Sequence, residues 1–212
     1  MLCSNIHTQI NPYIYDAIVS IGNKCPTAMV LRELKVYKES YPFDFVPTTP
    51  SLILKYMKDP SEFYPEKGKV RTKDSVWFGH FDIDEQYDTT METFHRRFAR
   101  LFRVLEEKKR VLFVYTSEAD IYNEMNLRYT DTYSDLKMLI DYIKEKYNYS
   151  DFLIVAIHTN KSYPNESNIV NYTIQVESKY LSENLETHIP EVYTPYRTLL
   201  KDLFRKIFSI PK

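Results

Sequence analysis

Residues 13–26 read YIYDAIVSIGNKCP, an apolar, β-branched run over 13–21 that stops at Gly22 and meets a proline at Pro26. Such a run has the length and composition of a buried strand. Pro26 suits the first position of a helix, where its missing N–H would have no partner in any case. Met29, Val30 and Leu34 then supply an apolar helical face. A strand that feeds directly into a helix is the unit from which parallel sheets are built.

Working outward, the alternation recurs. Residues 90–108 carry Met91, Phe94, Phe98, Leu101, Phe102 and Leu105 at helical spacing and lead into an apolar strand at 111–115. Residues 132–147 place Leu136, Leu139, Ile140 and Ile143 on one face, behind a capping box of Thr132 and Asp135, and a strand follows at 152–157. Residues 169–176 read as a further strand. Thr194-Pro195 opens a C-terminal helix with Leu199, Leu200, Leu203, Phe204 and Ile207 facing inward. Nearer the start, Thr49-Pro50 opens a helix bearing Ile53, Tyr56 and Met57. The polar stretch 59–73, with Pro60, Pro65 and Gly68, reads as a surface loop, and 76–78 as a short strand ending at Gly79-His80. The pattern predicts a flexible tail at 1–12. It then predicts one α/β domain over 13–212, with a mainly parallel sheet flanked by helices in a three-layer, Rossmann-like arrangement.

Composition narrows the function classes. In 212 residues the net charge is −1 and apolar residues make up 43 %, which excludes a disordered chain and removes any global electrostatic case for nucleic acid or anionic membrane. Aromatic residues are not interleaved with basic ones, which argues further against a nucleic-acid groove. Two cysteines make neither a disulfide framework nor a cysteine-rich zinc site. No histidine pair has helical metal-ligand spacing, so neither metal nor cofactor is expected. No basic segment followed by an apolar stretch opens the chain, and no apolar run is long enough to cross a bilayer. The expectation is an intracellular, cytoplasmic protein, or one of host cytoplasm or virion if the chain is viral. Glycine is scarce: average usage of roughly 7 % would give about fifteen, whereas the chain has Gly22, Gly68 and Gly79 alone.

Cys25 stands at the strand-to-helix junction. At a helix N-cap, with Lys24 beside it, the positive end of the helix dipole favours thiolate over thiol. Helix N-terminal amides near Ala28 lie within reach of a developing oxyanion. The bland alternative is a small buried hydrophobe, the commonest environment of a free cysteine. Cys3 lies in the expected tail and carries no role.

The stretch Ser20-x-Gly22-x-x-Cys25-x-x-Ala28-x-x-Leu31-Arg32-x-Leu34, followed by Ser40-Tyr41-Pro42-Phe43-Asp44-Phe45, resembles a family of papain-like cysteine peptidases of bacteria and large DNA viruses, catalogued as a domain of unknown function. Gly79-His80-Phe81-Asp82 is similar to the family's histidine segment. Phe94-x-Arg96-Arg97-Phe98-x-Arg100 and the strand after it are similar to its arginine-rich helix and strand. The likeness covers roughly residues 14–116. It implies a Cys–His hydrolase with Cys25 as nucleophile, His80 as base, and Asp44, or its rival Asp82, orienting the imidazole. Phe45 stands where many relatives have Trp. A papain-like fold pairs a helical part with an antiparallel barrel, whereas the strand–helix alternation here predicts a parallel sheet.

Ser20, Gly22 and Asn23 shape the turn before Cys25, and Gly79 and Asp82 flank His80. His158 competes for the role of base, because it ends a strand and ligands of open parallel sheets gather beyond the carboxyl ends of strands. Its alternative is a satisfied structural histidine. Arg96, Arg97, Arg100 and Arg103 make one helix basic, a feature read as a solvated face paired with Glu92, Glu106 and Glu107, or as a site for phosphate.

Three functions follow as expectations. The first is a thiol hydrolase acting on a peptide or acyl substrate, which requires the Cys25 sulfur about 3–4 Å from the His80 ring. The second is a non-catalytic α/β interaction protein, with Cys25 unreactive and far from His80. The third is a phosphate- or sugar-nucleotide-binding domain using the helix N-terminus; the lone Gly22 excludes the usual dinucleotide fingerprint.

Overall fold

The computed structural model describes residues 2–3, 8–22, 25–117, 132–175 and 190–211. Five strands, β1 (Leu2–Cys3), β2 (Ala17–Ser20), β3 (Val111–Thr116), β4 (Phe152–Thr159) and β5 (Ile169–Gln175), form one sheet in the order β1-β5-β4-β3-β2. The four long strands run parallel, and β1 adds an antiparallel edge beside β5. The helices are α1 (Pro26–Glu33), α2 (Pro50–Lys58), α3 (Tyr87–Glu106), α4 (Thr132–Tyr147) and α5 (Pro190–Ile207). Among the described residues no helix is long and apolar enough to cross a membrane.

Strand β3, second from one edge, is buried along its whole length. Val111, Phe113 and Tyr115 face the layer built from α2, α3 and α4, whereas Leu112 and Val114 face α1 and α5. A strand covered on both faces needs apolar residues at every position, which is why it reads as a continuous apolar run rather than an alternating one. The chain therefore forms the expected three-layer α/β fold, and not a helical part beside an antiparallel barrel.

Several elements differ in detail from the sequence pattern. Residues 12–14 form a 3-10 turn capped by the Asn11 side chain, which accepts from Tyr13 N at 3.0 Å. Tyr13 and Ile14 are therefore exposed, and the strand starts only at Ala17. Ile10 is buried, and its N–H donates to Ile207 O at 2.8 Å, so the folded domain includes residues before Tyr13. Helix α5 begins at Pro190, earlier than the expected start at Thr194-Pro195, because either proline fits a helix start and the apolar spacing from Leu199 onward does not choose between them. Residues 76–78 make an isolated bridge, Trp77 to Arg71, closing a small hairpin. The crossover from β4 to β5 uses only residues 160–168, with no helix, where a dozen or more residues are usual. It stays on the sheet because Tyr163 stacks on Tyr133 of α4, with ring centroids 4.4 Å apart, and Asn168 Nδ2 donates to Ser150 O and Phe152 O.

The stretch 59–73 is more than a surface loop. A 3-10 turn at Pro60–Phe63 drives Phe63 into the core, where it is completely buried. Its ring packs edge-on against Phe43, Tyr56, Phe78, Phe94 and Phe98, with centroids 5.1–6.1 Å apart. Phe63→Ala should destabilise the protein by about 3–5 kcal/mol, the range for deleting a buried phenyl ring. The urea midpoint measures this. A loss below about 1 kcal/mol would show that the segment does not anchor the core.

Candidate functional site

The site lies at the carboxyl ends of β2 and β3, the edge at which ligands of open parallel sheets gather. From β2 the chain passes to α1 on one face of the sheet, and the element after β3, α4, lies on the opposite face. Gly22 lies two residues beyond β2 at this edge. A Cβ there would lie 1.9 Å from Thr27 Oγ1 and 2.9 Å from Thr116 Oγ1, so only glycine lets the strand end pass beneath α1. Those two hydroxyls meet each other at 2.5 Å and tie α1 to β3.

Cys25 occupies the N-cap position of α1, but its backbone is already helical and its side chain does not cap the helix. The first intrahelical bond runs from Met29 N–H to Cys25 O. The amides of Thr27 and Ala28 therefore have no carbonyl to meet within the helix, and Pro26 has no N–H to offer. The Cys25 sulfur is half-buried and lies 3.3 Å from His80 Nε2.

His80 is exposed and stands in the turn after the 70–78 hairpin. Gly79 is required there, because a Cβ would strike the Trp77 ring at 1.8 Å. Trp77 and Phe45 flank the imidazole, with ring centroids 5.8 and 6.0 Å away. Phe45 is held at φ +61°, a left-handed conformation that costs a bulky residue on the order of 1–3 kcal/mol.

The carboxylates do not take the places the resemblance implies. Asp44 is completely buried and accepts from Tyr37 OH at 2.5 Å, from Arg32 at 3.2 Å and from Tyr41 N at 3.3 Å. Burial pushes its carboxyl above the ordinary range, and the Tyr37 hydrogen bond and Arg32 oppose that push. It does not hydrogen-bond to His80. Asp82 accepts from the N–H groups of Asp84 and Glu85, which lowers its pKa, so it shapes its own turn instead. Both carboxylates are spent on backbone and cation partners that their neighbours in sequence supply.

Of the other expected residues, Ser20 is buried within β2, and Asn23 lies outside the described residues. His158 is buried among Tyr115, Tyr133 and Tyr163. Asn171 Nδ2 donates to Pro164 O, which turns its Oδ1 toward His158 Nε2 at 2.9 Å. His158 is thus a structural group on the α4 face of the sheet. Nor is the basic helix uniformly solvated. Arg97 lies over the rings of Phe81 and Phe94, and Arg100 donates to Ser40 O and pairs with Glu39 rather than with Glu92 or Glu106. Comparison with protein-family models, curated proteins and solved structures finds no match to this chain.

Sequence reasoning missed the part played by Arg32. It stands seven residues after Cys25, two helical turns on, and so shares its face. Its guanidinium lies 4.7 Å from the Phe45 ring and donates to Ser40 Oγ at 2.7 Å. The spacing was visible; the loop it meets was not.

Burial pushes the pKa of His158 down from 6.5 to about 4, with the Asn171 hydrogen bond opposing. The folded state keeps the ring neutral while the unfolded state takes up a proton. The stability this contributes is complete above pH 6.5 and is lost as the pH falls toward 4, by about 3 kcal/mol. His158→Gln should flatten the acid side of the stability profile by that amount, read from urea midpoints near pH 7 and pH 4. The same profile in both proteins would rule this out.

Proposed function

We propose that the protein is a cysteine hydrolase acting on an acyl or peptide-like bond, with Cys25 and His80 as its working pair. The observation that carries this reading is the 3.3 Å approach of Cys25 Sγ to His80 Nε2, two residues 55 apart in sequence, at a helix N-terminus. A thiol with an adjacent base, beside amides lacking intrahelical partners, is the arrangement that acyl transfer requires. The likeness of the Cys25 and His80 segments to papain-like peptidases points to the same class. An interaction protein that keeps this scaffold without turnover gives no reason for the pairing.

In this reading His80 takes the thiol proton and the Cys25 sulfur attacks the carbonyl carbon. The Thr27 and Ala28 amides receive the oxyanion. The bond to the leaving group breaks as the imidazolium returns the proton to it, leaving a thioester on Cys25. A water molecule then gives a proton to His80 and adds to the thioester carbonyl. The acid departs, and the proton returns to sulfur. A reducing, intracellular setting would keep the sulfur available for each cycle.

Incubation with activated acyl esters and thioesters should add the acyl mass to the Cys25 peptide. Cys25→Ala should carry no adduct, and His80→Ala should acylate about 10²–10⁴-fold more slowly. Equal acylation rates in wild type and His80→Ala would sink the proposal.

A further inference from the structure

We propose that Phe45, held by Arg32 and Asp44, is the positioning residue for His80, filling the place that a carboxylate partner holds in a Cys–His–Asp site. This rests on the reading of Cys25 and His80 as a working pair.

Among the described residues, the polar contact made by the His80 ring is Cys25 Sγ, and the rings of Phe45 and Trp77 flank it. Among the described residues no carboxylate hydrogen-bonds to the imidazole, so its orientation comes from packing. Phe45 meets it at an interplanar angle of 70°, an edge-to-face arrangement that orients as well as buries. A bulky residue at φ +61° keeps that conformation only where its surroundings over-determine it. Here they do. The Arg32 guanidinium lies against the Phe45 ring, and Arg32 is fixed by Ser40 Oγ and Asp44 Oδ2. Asp44 in turn is locked by Tyr37 OH and Tyr41 N–H. The order of action runs from a buried carboxylate to a cation, from the cation to a ring, and from the ring to the imidazole. Asp44 thus reaches His80 through two intermediaries and never touches it. Arg32 lies on α1 with Cys25, so one helix sets both the sulfur and the brace for its base.

The test is the pH profile of iodoacetamide alkylation at Cys25, followed on the intact protein by peptide mass. Wild type should alkylate well below the ordinary thiol range, and His80→Ala should lose that low-pH reactivity. Phe45→Ala should slow alkylation near pH 6 by about tenfold, the effect of a one-unit rise in thiol pKa, while leaving the rate at high pH unchanged. Phe45→Trp should restore the wild-type profile. If Phe45→Ala does not fold, Arg32→Lys carries the same test, since it keeps a cation beside the buried Asp44 while taking the planar guanidinium off the Phe45 ring. A Phe45→Ala or Arg32→Lys profile that overlays wild type, while His80→Ala differs, overturns the positioning role alone. Identical wild-type and His80→Ala profiles overturn the pairing and the positioning with it.

Discussion

The burial of Phe63 holds together everything around the candidate site. Its ring gathers Phe43, from the segment that carries Asp44 and Phe45, and Phe78, from the hairpin that carries His80. It sets both against Phe94 and Phe98 of α3. None of these segments has strand partners in the sheet, so backbone hydrogen bonds alone would not fix them against α1. Edge-to-face ring packing does, at about 0.5–1.5 kcal/mol per pair beyond the apolar area buried. The two loops that frame Cys25 are thereby placed by an aromatic core, not by the sheet itself.

A second constraint comes from close approach. The chain is poor in glycine, and two of its three glycines stand where a Cβ has no room, Gly22 under Thr27 and Gly79 under the Trp77 ring. Gly22 lets the chain leaving β2 pass close enough to α1 for Thr27 to meet Thr116 of β3. Gly79 lets the Trp77 ring lie flat against the backbone beside His80. Gly68, by contrast, takes φ +74° in open space and serves a turn.

Much of the fold was legible because local pattern and layer agree. The runs at β3 and β4 are apolar at consecutive positions since both faces are covered, and α3 and α4 carry one apolar stripe since only one of theirs is. Thr49 was legible as a cap because its hydroxyl accepts from Leu52 N, a contact settled within three residues. Phe63 was not: a lone aromatic among prolines and charges gives no period, and its partners lie far along the chain. For the candidate site, the sequence placed Cys25 and His80 on separate loops and supplied a reason to pair them. The pairing of Asp44 with His80 came from the resemblance rather than from the residues, and nearer claimants hold that carboxylate instead. Tyr37, Arg32 and the Tyr41 amide are those claimants, and all lie within twelve residues of it.

The place of Asp44 bears on how the site is built. A buried carboxylate pays a desolvation cost that is tolerable only when cation and hydrogen-bond partners surround it. Asp44 has such partners on several sides, and removing it would leave Arg32 and the Tyr37 hydroxyl without their acceptor. Its task is to stiffen the 37–45 loop, and through Arg32 to hold that loop to the helix bearing Cys25. His80 remains exposed, with its flanks covered by rings and its Nε2 toward sulfur. An imidazole oriented by rings is steadied without the electrostatic stabilisation of imidazolium that a carboxylate provides. In the proposed pairing, the ring is therefore aimed at the Cys25 sulfur by packing against Phe45 and Trp77 rather than by a charged partner.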